Sequence, residues 1–178
     1  NSFNIIEFKN NFKIYYNSTK KNISIDEEKK IINLKQSFDN ERFIFIGKNI
    51  DRWKINFKGI NNNSETRYKR DEYMIGGCVT FLDAYFNKIS INIENSKCPK
   101  SIEILNSTGN FEDIHIKNSS GDGFDAEFSN INTKKIIVEK AKGECIGVKR
   151  GIYKFNKLNL SFCYDKAIST GEHAKTTI

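Results

Sequence analysis

From Ser101 onward, apolar and polar positions recur with a period of 22 residues. In register the chain reads SIEILNSTGNFEDIHIKNSSGD, then GFDAEFSNINTKKIIVEKAKGE, then CIGVKRGIYKFNKLNLSFCYDK, then AISTGEHAKTTI. Small residues align at Ser101, Gly123, Cys145 and Ala167, each followed by a large apolar one: Ile102, Phe124, Ile146 and Ile168. A second apolar column follows at Ile104, Ala126 and Val148, with Thr170 the exception. Alternation with period two marks a strand. The pairs Ile114/Ile116, Ile136/Val138 and Leu158/Leu160 mark a second strand, and Gly109/Phe111 with Tyr153/Phe155 a short third between them.

One unit upstream, Cys78, Val79, Phe81, Ile91 and Ile93 fall on the same columns once a residue is added, for a spacing of 23. Further back, WKINF at Trp53 to Phe57 and RFIFIG at Arg42 to Gly47 alternate in the same way, so the ladder is expected to start near residue 40. A helical repeat would need apolar residues at three- and four-residue spacing. A leucine-rich repeat needs a denser Leu and Asn pattern, and a β-sandwich has no reason to hold strands at constant spacing. Short strands recurring near 22 residues predict an all-β fold, a right-handed parallel β-helix in which each coil buries its apolar face only by stacking on the next.

Residues 1–40 stay outside the 22-residue register and are expected to form an N-terminal cap, with Ile25 to Lys35 a short helix or a hairpin. Residues 41–178 form the helix proper. Its last unit stops in mid-coil at Ile178, which leads to the expectation that further chain, another element or a partner covers this end.

At 178 residues, 12% aromatic and 38% hydrophobic, the chain suits one domain with a true core. No stretch approaches a membrane span, and no signal peptide is present; the compartment, bacterial envelope or cytoplasm, stays open. The formal charge of +7 comes from 29 basic and 22 acidic residues that are interleaved, so a mixed solvated surface is the plain reading and an anionic polymer the sharper one. Nucleic acid is disfavoured, because YKFNK at Tyr153 to Lys157 is the nearest approach to interleaved basic and aromatic residues and reads better as a strand. The four cysteines, Cys78, Cys98, Cys145 and Cys163, lack zinc spacing. A disulfide is possible in an exported chain, but their apolar settings predict buried free thiols.

The segments GGCVTF, KCPKSIEILNSTGNF, GDGFDAEFSN, GECIG and CYDKAISTGEHA resemble the right-handed parallel β-helix repeat domains found in many poorly characterised bacterial proteins. That pattern has an Asp-rich strand start (D-x-x-D-x-D-F-S), an N-D-C-I-D unit and C-G-D-K-G-I-S-x-G-E. The resemblance spans residues 43–178. It matches Asp122, Asp125 and Glu127 to the first motif, Glu144 and Cys145 to the second, and Asp165, Lys166, Ser169, Gly171 and Glu172 to the third. Gly147, Lys149 and Tyr164 depart from it, standing where the pattern has Asp, Ser and Gly. The architecture is also similar to that of pectate lyases, polygalacturonases and uronan epimerases, although fold alone does not confer activity.

If Phe124 and Ala126 face inward, Asp125 and Glu127 face outward, and Asp122, Glu144 and Lys166 stack on neighbouring coils about 5 Å apart. With Lys149 they form the candidate catalytic set. Paired carboxylates beside an amine suit acid/base work on a sugar, and they could also line a Ca²⁺ site, although no specific motif for that ion is present. Turn carboxylates that only make local hydrogen bonds are the plain alternative. The segment Gly59 to Gly77 interrupts the ladder; its Arg67, Tyr68, Lys69, Arg70 and Tyr73, with Trp53 just before, are the candidate substrate-binding residues for an anionic polysaccharide. His115, between Ile114 and Ile116, should face outward, and neither it nor His173 builds a triad. Two functions fit: a carbohydrate-linked module that binds or processes an acidic bacterial surface polysaccharide, as a lyase, hydrolase or epimerase if an enzyme; or a non-enzymatic scaffold or interaction domain of a larger envelope or assembly protein.

Overall fold

The structure is a computed structural model that describes residues 3–9, 11–61 and 74–178. Its strands are β1 (Asn4–Glu7), β2 (Phe12–Tyr16), β3 (Ile23–Asp26), β4 (Ile31–Lys35), β5 (Phe43–Asp51), β6 (Lys54–Lys58), β7 (Gly77–Glu94), β8 (Lys100–Leu105), β9 (Thr108–Ser119), β10 (Asp122–Glu127), β11 (Asn130–Ala141), β12 (Ile146–Lys149), β13 (Gly151–Phe155), β14 (Leu158–Cys163), β15 (Ile168–Thr170) and β16 (Ala174–Thr177). They stack as a parallel β-solenoid with three faces.

The first face carries β5, the start of β7, β8, β10, β12 and β15. The second carries the end of β5, the middle of β7, the starts of β9 and β11, β13 and β16. The third carries β4, β6, the ends of β7, β9 and β11, and β14. Phe124 pairs with Ile102 and Ile146, and Ile146 with Ile168, so the aligned columns are true rungs. Upstream, Glu94 pairs with Lys117 at a spacing of 23, whereas Lys100 pairs with Asp122 at 22. The added residue is therefore absorbed between them, in the corner where Cys98 turns inward.

Long strands bend around corners where one residue per coil takes a left-handed backbone. Asp83, Asn106, Phe128, Arg150 and His173 do so between the first and second faces; Asn95, Asn118, Lys140 and Phe162 do so between the third and first. Asn tolerates this conformation through its short polar side chain, while bulky residues are strained in it.

Inside the tube, the rings of Phe45 and Phe81 stack at 5.2 Å between centroids, and contacts continue through Phe86, Phe111, Phe124 and Phe155. Such pairs add about 0.5–1.5 kcal/mol each beyond area burial. The column of small residues lines the narrow corner between the third and first faces. There Ser101 Oγ lies 2.5 Å from Ser96 Oγ and donates to Ser119 Oγ at 2.7 Å. Disulfides occupy the same corner in other coils, Cys78–Cys98 and Cys145–Cys163. The expectation of free thiols is thereby corrected: each pair is 20 or 18 residues apart, almost one full coil, so the chain returns its second cysteine to the first. Buried apolar surroundings are equally suited to a thiol and to a bridge, which is why composition alone misled.

At the N-terminal end β1 lies antiparallel on β2, β2 antiparallel on β5, and β3 antiparallel on β4. The segment from Ile25 to Lys35 is thus a hairpin and not a helix. Its second strand, β4, already pairs in parallel with β6, Ile32 to Ile55, so the ladder reaches further back on the third face than the pattern of apolar residues indicates. Among the described residues no helix is long and apolar enough to cross a membrane.

Candidate functional site

The outward positions of the first face bring the sequence-predicted charges together. Glu103, Asp125, Gly147 and Ser169 occupy successive rungs of one column. Lys100 inserts beside them, its Nζ donating to Glu103 Oε1 and Asp125 Oδ1, each at 2.7 Å. The other Glu103 oxygen accepts from the Gly76 and Gly77 backbone N–H groups at 2.8 and 3.0 Å, so this carboxylate, 2% exposed, is fully engaged. Asp122 Oδ1 accepts from the Glu144 N–H at 2.9 Å; Lys166 Nζ donates to Glu144 Oε1 at 3.0 Å; Arg150 donates to Glu127 Oε1 at 2.5 Å. Lys149 is exposed, its alkyl stem lying over Gly171.

Burial pushes the carboxyl groups of Asp122 and Asp125 above their ordinary range, against the opposing pull of Lys100 and, at Asp122, of the Glu144 N–H. Burial alone would lower Lys100, but Asp125 and Glu103 more than offset it and hold the ammonium above its usual value. Asp125 Oδ2 and Glu144 Oε2, neither used in these bonds, flank Gly147. A Cβ on Gly147 would sit 3.0 Å from the first and 2.9 Å from the second, so the absent side chain is what gives them room. An Asp here, as in the pattern the sequence resembles, would add a third carboxylate to the same spot. Every carboxylate in the set also ties one coil to the next. Among the described residues no group of three or more His, Cys, Asp or Glu could hold a metal ion.

The other sequence candidates separate. Trp53 is 4% exposed and packs edge-on against Phe8 and Phe12, at 5.4 and 5.8 Å. Its ring serves the core, which corrects the substrate-binding expectation for it. Arg67, Tyr68, Lys69, Arg70 and Tyr73 lie outside the described residues. His115 faces outward with Nε2 2.6 Å from Glu139 Oε1, and His173 is an exposed corner residue.

A different cluster emerges at the corner between the third and first faces. A cleft of about 250 Å³ is lined there by Asn95, Lys97, Asn118, Ser120, Lys140 and Lys142, together with Ile60 and Asn61 where the Gly59–Gly77 segment departs. Among the described residues no Asp or Glu lines it. Two outward columns build it. One runs Asn95, Asn118, Lys140, Phe162, fixed by the pairing of Glu94 with Lys117, Ala141 with Ser119 and Ala141 with Cys163. The other runs Lys97, Ser120, Lys142, Tyr164, fixed by successive N–H to carbonyl bonds from Ser120 to Ser96, Lys142 to Ser119 and Tyr164 to Ala141. The rungs thus carry an amide with a buried lysine, then an amide with a hydroxyl, then two exposed ammonium groups and then two aromatic rings, Phe162 at 83% and Tyr164 at 87% exposure. Phe162 holds φ of +54°, a conformation unfavourable for a bulky side chain, with its ring in water. From Asn95 to Tyr164 these residues are spread over more than sixty positions of the chain, and only the stacked register joins them. Writing Asn118, Lys140 and Phe162 in the 22-residue frame would have disclosed the column.

No protein-family model, curated protein or solved structure matches the chain.

Proposed function

We propose that the solenoid binds an acidic polysaccharide along the corner between its third and first faces. The observation that carries this reading is the succession of side chains in that corner. Lys140 and Lys142 stand side by side in a concave cleft that no Asp or Glu among the described residues lines, and Phe162 and Tyr164 continue the same two columns. Ammonium groups suit uronate carboxylates or sulfates, asparagine and serine suit hydroxyls, and an exposed ring suits the C–H face of a pyranose. The net charge of +7 favours approach of an anionic chain. The two disulfides support work in an oxidising compartment, where such polymers are found.

The carboxylate set on the first face is read as stitching and not as catalytic machinery, since Asp122, Asp125, Glu127 and Glu144 each bond to a neighbouring coil. That observation also favours a second reading, a rigid non-enzymatic spacer. Titration calorimetry with polygalacturonate oligomers, at low and high salt, separates the two. Expected is saturable binding that weakens as salt screens exposed charges, at least tenfold weaker in the Lys140→Gln/Lys142→Gln variant, with no shortening of the oligomer. Absence of saturable binding to acidic chains would leave the spacer reading. Chain cleavage abolished by Asp122→Asn or Asp125→Asn would return those carboxylates to catalysis.

A further inference from the structure

We infer that the Cys145–Cys163 disulfide is a redox latch on the corner cleft: a dithiol opens it ahead of Cys78–Cys98, and its opening releases the end of β14 together with Phe162 and Tyr164. The inference rests on the reading of that corner as the site of an acidic chain and adds its regulation.

The two bridges share one corner of the tube but not their surroundings. Cys78 and Cys98 are both 0% exposed. Gln36, itself buried, donates from Nε2 to the Cys78 and Cys98 sulfurs at 3.5 and 3.4 Å, and the same amide bonds the Lys97 carbonyl at 3.2 Å and the Lys97 N–H at 2.9 Å. β7, which carries Cys78, is flanked on this face by β5 and β8. Cys145 is equally buried, but Cys163 is partly exposed, at the end of β14. Among the described residues β14 pairs only with β11, β15 only with β12 and β16 only with β13.

Thiol–disulfide exchange requires a thiolate to reach one sulfur of the bridge, so access decides which bridge reacts. One thiolate of the dithiol attacks Cys163 Sγ, the S–S bond breaks, and Cys145 leaves as a thiolate. The second thiolate then attacks the reagent sulfur now bonded to Cys163, which closes the reagent into a disulfide and frees the Cys163 thiolate. Two electrons pass to the protein, and the two protons lost by the dithiol end on Cys145 and Cys163.

The bridge fixes what the rest of the coil holds weakly. Cys163 stands between Phe162 and Tyr164, the two rings that complete the corner columns. Phe162 has a left-handed backbone and an exposed ring, so its own packing does not hold it in place. Leu158 and Leu160 are only partly buried, whereas Ile136 and Val138, their partners one coil earlier, are 0% exposed. With the bridge open, the end of β14 keeps a one-sided ladder, and segments with few buried contacts open locally before the rest of a fold. Lys140 and Lys142 do not share this weakness. β11, which carries Lys140, lies between β9 on one side and β13 and β14 on the other, and the Lys142 N–H donates to the Ser119 carbonyl at 3.1 Å. Reduction therefore takes the rings from the cleft and leaves its ammonium groups.

The test exposes the oxidised protein to dithiothreitol under native conditions, alkylates free thiols over time and locates them by peptide mass. Expected is labelling of Cys145 and Cys163 at least tenfold faster than of Cys78 and Cys98. In the form reduced at that bridge alone, amide hydrogen exchange over 158–164 rises at least tenfold while that over 136–142 holds. Its calorimetric affinity for a polygalacturonate oligomer falls at least tenfold and returns on reoxidation. Cys145→Ser/Cys163→Ser matches the reduced form and no longer responds to the dithiol. Equal labelling of the two bridges, unchanged exchange over 158–164, or equal affinity of the oxidised and reduced forms overturns the inference. Absence of binding by the oxidised protein is a different failure: it overturns the corner reading, and the latch is then decided by labelling and exchange alone.

Discussion

Replacing Phe162 by Asn should stabilise the protein while weakening it as a binder. The first half follows from the corner column. Asn95, Asn118, Lys140 and Phe162 share a left-handed backbone, with φ of +56°, +57°, +67° and +54°. The chain itself places Asn at two of these four rungs, and Asn118 Nδ2 donates to Asn95 Oδ1 at 3.0 Å across them. Left-handed backbone costs an ordinary L-residue about 1–2 kcal/mol, less for Asn. At 83% exposure the Phe162 ring buries little, so its removal forfeits little hydrophobic stabilisation. The net expectation for Phe162→Asn is a gain of about 1 kcal/mol, which in a chain of this size raises Tm by about 2–4 °C. Far-UV circular dichroism melts and urea titrations measure it, with an unchanged urea slope reporting that the unfolded state is not the origin. The second half is an affinity for acidic oligosaccharide reduced several-fold by loss of the stacking ring. A Tm that falls or stays fixed would refute the strain argument; an unchanged affinity would remove Phe162 from the site.

Two further predictions concern what joins the coils. Lys100→Met leaves Glu103 and Asp125 buried without their shared cation and should cost about 3–5 kcal/mol at neutral pH, measured by urea denaturation. Because the folded protein holds the Lys100 pKa above 10.5, its contribution in the wild type is complete below that pH and is lost as pH rises through the folded value. Asp122 and Asp125 act in the opposite sense to ordinary salt-bridged carboxylates: with pKa values raised above 3.8, their contribution grows as pH falls through those values, so Lys100→Met should recover part of its deficit on acidification. Opening the last ring by Cys145→Ser/Cys163→Ser should cost about 3 kcal/mol, the closure entropy of a loop of this length, read as a lower urea midpoint. Peptide mapping without reductant should recover Cys78 with Cys98 and Cys145 with Cys163.

The stacked architecture was legible because it is written in columns: a small residue then a large apolar one at Ser101/Ile102, Gly123/Phe124 and Cys145/Ile146 can satisfy one tube but no helix. The cysteine pairing was not, since Cys78 and Cys98 meet only if the path between them is known to be one coil. For the segment from Ile25 to Lys35 the sequence left helix and hairpin open, because it has no second copy of itself against which to find a register, and the antiparallel pairing of β3 with β4 decides for the hairpin. At the site, alternation turned Asp125 and Glu127 outward, but Lys100, which bridges Asp125 to Glu103, was not among the residues singled out from the sequence. The lysine and aromatic corner stayed hidden because its members belong to different coils and carry different chemistry on each rung. A repeat search keeps columns that conserve character, and a binding surface is built where the character changes.

The central claim is that an acidic chain lies in the corner between the third and first faces. Titrating isotopically labelled protein with a polygalacturonate oligomer and following backbone amides by two-dimensional NMR tests it most directly. The account predicts saturable shifts concentrated at residues 95–97, 118–120, 140–142 and 162–164, with the second face unmoved. Shifts centred instead on the carboxylates of Asp122, Asp125 and Glu144, or no saturable shifts at all, would contradict it.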